Sequence, residues 1–193
     1  MRVLLSLSVF IFFFVNFETS EAQVIGFGKC VRPKVQPNFN KQRYLGRWYG
    51  VQYYYPIFFQ LNDKCVTATY SENPDGSINV RNAGVNKFNQ VPNIINGRAD
   101  IIDNAKLKVG FGFPDFTPAG NPDSNYWILE TDYDTYSIVY SCTDYYGIYH
   151  TDMLWILSRQ RQLPAETTLK IYDRLQCDGI RLWPLRKDGQ TCT

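Results

Sequence analysis

The chain has 193 residues, with 20 Lys and Arg against 18 Asp and Glu, 45% hydrophobic and 16% aromatic side chains, and a net charge of +2. The basic residues are scattered singly, which excludes a nucleic-acid footprint, and the length suits one domain with a core large enough to contain a cavity. With a single histidine, His150, and no Cys-x-x-Cys among five cysteines, neither a His-based metal site nor a redox or zinc-ribbon motif is expected.

Residues 1–22 have the layout of a cleavable secretory signal: Arg2, an apolar run from Val3 to Val15, then Ser20 and Ala22 as small residues before the cut. That run is too short to span a bilayer comfortably, and no other segment approaches transmembrane length. The expected product is a secreted, extracellular domain over 23–193 with no membrane span. In that setting four of Cys30, Cys65, Cys142, Cys177 and Cys192 pair and one is left over; composition alone does not choose the pairing.

After a Pro-punctuated lead-in, short runs rich in Tyr, Val, Ile, Phe and Thr alternate with turn clusters, as in an antiparallel all-β domain. The predicted strands cover 48–55, 65–71, 77–86, 94–102, 107–113, 125–131, 135–143 and 148–158. Asn73-Pro74-Asp75-Gly76 supplies a hairpin turn between the second and third. In the fifth, Leu107, Val109, Phe111 and Phe113 alternate with Lys and Gly, a strict period of two. One helix follows within 164–179, opening at Pro164 with Glu166 in its first turn and ending at Gly179. Leu169, Ile171 and Leu175 give it no clean apolar stripe. The expected fold is an all-β, eight-stranded antiparallel up-and-down β-barrel with one C-terminal α-helix, closed so that no sheet edge is exposed.

Three motifs sharpen this reading. Gly46-Arg47-Trp48 opens the first strand, Thr131-Asp132-Tyr133 joins the sixth and seventh, and Arg159 ends the eighth within WILSRQRQLP. Their order and spacing resemble those of the lipocalin family. The stretches LETDYDTYSIVYSCTDYYGIYHTDMLWILSR and GKCVRPKVQPNFNKQRYLGRWY resemble its apolipoprotein D branch, with the insect bilin-binding proteins and the crustacyanins. The resemblance implies that Trp48 lies across the closed end with Arg159 packed over its indole, and that Asp132 ties down backbone there. It also implies the disulfides Cys30–Cys142 and Cys65–Cys192. Cys177, on the helix, departs from the pattern; burial is the commoner fate of such a thiol, and exposure would let it link two chains.

Alternate residues of each strand face a barrel's interior. Trp48 inward carries Gly50, Gln52 and Tyr54 with it, and the apolar face of the fifth strand adds Val109 and Phe111. On the fourth strand Ile95, Gly97, Ala99 and Ile101 face in. Family register adds Asn82 and Gly84, Tyr126 and Ile128, Ser141 and Thr143, then Thr151, Met153 and Trp155. The small residues at 50, 84, 97, 99 and 141 are expected to leave volume. Phe58 and Phe59 fall in the loop that the resemblance places over the open mouth. Tyr49, Tyr53, Tyr133, Tyr136, Tyr140 and Tyr149 are expected on the outer faces.

The implied function is carriage of a small hydrophobic ligand, with biliverdin, a carotenoid, or a fatty acid or sterol as candidates and no required cofactor. His150 points outward and no nucleophile elbow accompanies it, so catalysis is not expected. The rival class is an interaction protein with an incidental pocket, forming a homodimer or higher oligomer through its outward tyrosines.

Overall fold

The computed structural model of the protein describes residues 24–54, 62–111 and 125–192. The expected signal segment and the Phe58–Phe59 loop lie outside the described residues.

The strands are β1 (Val24–Phe27), β2 (Gly46–Tyr54), β3 (Asp63–Glu72), β4 (Ile78–Asn86), β5 (Pro92–Asp103), β6 (Lys106–Gly110), β7 (Tyr126–Thr131), β8 (Tyr136–Tyr145), β9 (Tyr149–Ser158) and β10 (Leu185–Lys187). A one-turn helix α1 (Lys41–Tyr44) precedes β2, and α2 (Ala165–Cys177) follows β9. Consecutive strands from β2 to β9 pair antiparallel, and β2 also pairs with β9, which closes an eight-stranded barrel. β1 lies beside β9 beyond the reach of β2, and β10 lies beside the later half of β2. Neither had been predicted: each is only three or four residues long and lacks a usable alternation.

The apolar residues form two cores. One fills the interior near the closed end, with Trp48, Tyr44, Leu107, Ile128, Val139 and Leu157 among its members. The other lies outside the barrel wall, where Ile171 and Leu175 of α2 pack on Tyr140, Leu154 and Ile156. The helix therefore buries an i, i+4 pair, while Leu169 is exposed. Pro164 stands at the helix N-cap, and Gly179, at φ +73°, supplies the left-handed residue just past its C-terminus.

The closed end is held by Arg159. Its guanidinium carbon lies 3.7 Å from the Trp48 ring centroid, a cation–π distance. The same group donates to the carbonyls of Tyr133, Arg47, Arg43 and Leu45, each at 2.9 Å. Trp48 Nε1 donates to Tyr44 O at 2.9 Å. Gly46 has φ +96°, and a Cβ there would stand 3.3 Å from Arg159 Nη1. The glycine thus meets both a backbone and a space requirement. Opposite, Asp132 Oδ1 accepts from the backbone N–H groups of Asp134, Thr135 and Tyr136. Burial opposes ionisation of Asp132, but those N–H groups outweigh it and hold the carboxyl below its usual range.

Cys30–Cys142 anchors the segment after β1 to β8, and Cys65–Cys192 ties the C-terminal tail to β3. Cys177 is a free thiol and is exposed, not buried. Two residues beyond Leu175, it lies about 200° around the helix axis from that side chain, on the solvent side of α2.

Replacing Arg159 by Met removes the cation and leaves four carbonyls without their donor. Equilibrium unfolding in urea is expected to show a loss on the order of 3 kcal/mol. Asp132→Ala is expected to cost about 1–2 kcal/mol at pH 7. Because the folded carboxyl titrates below the unfolded one, this contribution is complete above the unfolded pKa of about 3.9. It is lost as pH falls through the folded value, so the wild-type and variant stabilities should converge in acid.

Candidate ligand-binding site

The interior wall can be read from β9, whose pairing with β8 runs without a register shift from Tyr149 to Ser158. Leu157 belongs to the interior core, so Trp155, Met153 and Thr151 share its face. Across β8 they pair with Val139, Ser141 and Thr143. Tyr126 and Ile128 of β7 continue this wall, followed by Leu107 and Val109 of β6 and then Phe111. Ile95 and Asn82 pair with each other across β5 and β4 on the same inner face. Of these, Ile128 is fully buried and Asn82, Ile95, Val109, Phe111, Tyr126, Thr143, Thr151 and Met153 are half-buried. The rings of Tyr126 and Trp155 stack, with centroids 6.2 Å apart and planes 29° from parallel.

Gln52 and Tyr54 do not join them. The β2–β9 register shifts between Gly50 and Gln52, a bulge that inserts one residue and reverses the parity of the rest of the strand. Gly50 still pairs with inward Leu157, but Gln52 pairs with outward Ile156. Gln52 Oε1 accepts from the Tyr172 hydroxyl of α2 at 2.6 Å. Tyr54 packs in the helix-side core, and its hydroxyl donates to Arg181 O. Burial pushes that phenol well above its usual pKa. The same bulge places Tyr53 opposite Trp155 instead of on the outer face. Two more expected outward tyrosines differ: Tyr133 packs in the closed-end core, and Tyr149 pairs with Tyr145 on the inner register, their rings stacked at 4.4 Å. Phe58 lies outside the described residues.

The small inward residues also play a different part from the one expected. A Cβ on Gly97 would fall 2.6 Å from Phe111 Cδ1, and one on Gly84 would fall 2.9 Å from Asp63 Oδ2. These glycines admit side chains from neighbouring strands and do not simply leave space.

Toward the closed end the wall becomes polar. The Tyr126 hydroxyl lies 2.7 Å from that of Tyr70 and 3.4 Å from that of Tyr44, and Tyr44 Oη lies 3.2 Å from Ser137 Oγ. Burial pushes Tyr44 up to about 12 and holds Tyr70 and Tyr126 well above the usual phenol value. All three stay protonated and can donate as well as accept at neutral pH. Sequence reasoning missed Tyr70 and Ser137, although parity would have found them: Ser137 is two alternations from Ser141, and Tyr70 is one from Ala68, which pairs with Trp48. Tyr44 lies on the short helix α1, where strand parity says nothing. No Lys or Arg occupies the inner register of the described strands.

A family model for the lipocalin-like domain matches residues 39–190. Apolipoprotein D of Mus musculus is 40% identical over 167 residues, covering 85% of this chain and 84% of the relative. Temperature-induced lipocalin-1 of Arabidopsis thaliana is 33% identical over 164 residues, covering 83% and 84%. Among solved structures, insecticyanin from the tobacco hornworm Manduca sexta matches with a TM-score of 0.70 at 23% identity, over 86% of this chain and 88% of that one. Lobster apocrustacyanin A1 matches with a TM-score of 0.70 at 24% identity, over 87% and 92%. At such identities the structural likeness speaks to the fold.

The bulge separates two kinds of tyrosine, and the separation can be measured. Tyr54→Phe removes a buried hydroxyl that serves the wall–tail contact. It should lower stability in a urea titration by about 1 kcal/mol and leave hydrophobic-probe binding unchanged.

Proposed function

The chain belongs to the lipocalins, carriers of small hydrophobic molecules, and from that premise we propose a secreted carrier whose cargo is a ring-bearing or conjugated molecule such as biliverdin or a carotenoid. The observation that carries this reading is the inner wall itself. Stacked Tyr126 and Trp155 with Phe111, Val109 and Met153 offer flat and apolar surface above a floor of neutral hydroxyls. Rings of this kind favour offset stacking on a conjugated ligand. Burying the equivalent of ten methylenes at ~0.8 kcal/mol each gives roughly 8 kcal/mol before association costs, which suits reversible, micromolar carriage.

The polar floor bears on the cargo's inner end. Tyrosine and serine hydroxyls can hold a keto, lactam or hydroxyl group, whereas a carboxylate placed there would meet no cation and would be costly to desolvate. A lipid cargo is the second reading, favoured by the 40% identity to apolipoprotein D. On this floor a sterol hydroxyl fits and a fatty-acid carboxylate does not. Carriage needs no catalytic group. His150 stands on the outer register, where its Nδ1 lies 2.9 Å from Gly28 O and its ring fills the space beside Gly26.

Visible circular dichroism during a biliverdin titration tests the pigment reading. Free biliverdin exchanges between mirror-image helices, and a chiral pocket selects one. A signed band saturating at one equivalent is expected, and Phe111→Ala should weaken it roughly tenfold or more while the protein stays folded. A flat spectrum would move the cargo to lipids.

A further inference from the structure

A carboxyl group faces the inside of the barrel, where carriage of a purely apolar molecule has no use for one. Asp63 is the first residue of β3, near the open end, and is 1% exposed. Its side chain occupies the space over Gly84, whose missing Cβ would lie 2.9 Å from both Asp63 Cβ and Oδ2. Gly84 shares the inner register of β4 with Asn82 and Val80. Asn93, paired with Gly84 across β4 and β5, donates its side-chain amide to Asp63 Oδ2 at 3.0 Å. One oxygen is thus held.

The other oxygen is not used. Asp63 Oδ1 is buried and accepts no hydrogen bond among the described residues. Such an atom costs free energy in a folded wall unless something completes it. Burial raises the carboxyl above its usual range, opposed by the Asn93 amide and the charge of Lys87. Among the described residues the carboxyl makes no ion pair, and its hydrogen bond from Asn93, which bridges β3 and β5, uses one oxygen only.

We propose that Asp63, oriented by Asn93, is the group that recognises the cargo, accepting a hydrogen bond from an N–H or O–H donor on a predominantly apolar ring compound. The assignment rests on the carrier reading and narrows it. The cargo carries a donor toward the open end, where Asp63 lies, and an uncharged polar group at most toward the tyrosine floor. Pyrrole and lactam N–H groups meet the requirement at Asp63, as does a hydroxyl. A hydrocarbon does not, and an anionic end beside Asp63 would be repelled.

The test compares two probes on the full-length mature protein: biliverdin as its dimethyl ester, which carries N–H donors and no carboxylate, and β-carotene, a hydrocarbon. Binding of each is followed by visible absorbance and circular dichroism. Asp63→Leu should raise the Kd for biliverdin at least tenfold and leave that for β-carotene unchanged or lower. Asp63→Asn, which keeps the shape and one carbonyl acceptor, should fall between Leu and wild type for biliverdin and serves if the Leu variant does not fold. Wild-type affinity for biliverdin in both variants overturns the assignment and leaves the carrier reading standing. So does an equal loss for both probes, because it reports shape alone. Wild-type protein that binds β-carotene but not biliverdin overturns the donor requirement. Wild-type protein that binds neither overturns the pigment reading and, with it, this assignment.

Discussion

The contact between Arg159 and Trp48 fixes the end of the barrel from which everything else is measured. A guanidinium can lie flat on an indole and still direct its N–H groups sideways, and here they reach carbonyls of the α1–β2 segment and of the β7–β8 turn. One side chain from the last barrel strand thereby joins the chain entering the first strand to the turn on the opposite side. Lysine could supply the charge but not the fork. The tyrosine cluster above the floor closed by this group and Asp132 is buried, and its phenols remain protonated.

Irregularities of register decide which residues a cargo can meet. An eight-stranded barrel with strict alternation would present Gln52 and Tyr54 to its interior. The bulge after Gly50 turns them onto α2, where they hold the helix and tail against the wall. A second shift, between Ile128 and Glu130 of β7, puts Glu130 outside to meet Arg174 and Lys170 of the helix. Thr131 then returns to the inner register opposite Ser137. Both shifts face α2. The helix packs where two strands have each given up an alternation, and the residues released become its docking surface.

This explains how far the sequence could be read. Strand existence, the hairpin turns, the helix and the closed-end motifs rest on local signals: alternation, turn residues, Pro164 and Gly179, and Gly46 before Trp48. These marked the barrel and its floor. On strands with unbroken register, such as β9, parity also assigned faces. It failed on β2 because alternation was carried unbroken past Gly50, where a lone glycine inside a strand is the one local sign of the bulge found there. The roles of Gly84 and Gly97 were hidden for a related reason. A glycine reads as empty space until the neighbouring strand shows which side chain fills it.

The interior that results has a gradient. Near the floor, neutral hydroxyls satisfy one another, so a cargo group there competes with existing hydrogen bonds and gains little from displacing them. Higher up, the stacked rings contribute area without direction. Toward the mouth the wall holds polar atoms that nothing on the described chain completes, Asp63 Oδ1 and the hydroxyl of Thr151. Apolar burial sets how tightly such a pocket holds its cargo, while an incomplete acceptor distinguishes one cargo from another. A ligand lacking the donor retains the area term but leaves the oxygen unpaired, and that penalty belongs to the wrong ligand alone. In this barrel, then, affinity and selectivity are assigned to different depths of the same cavity.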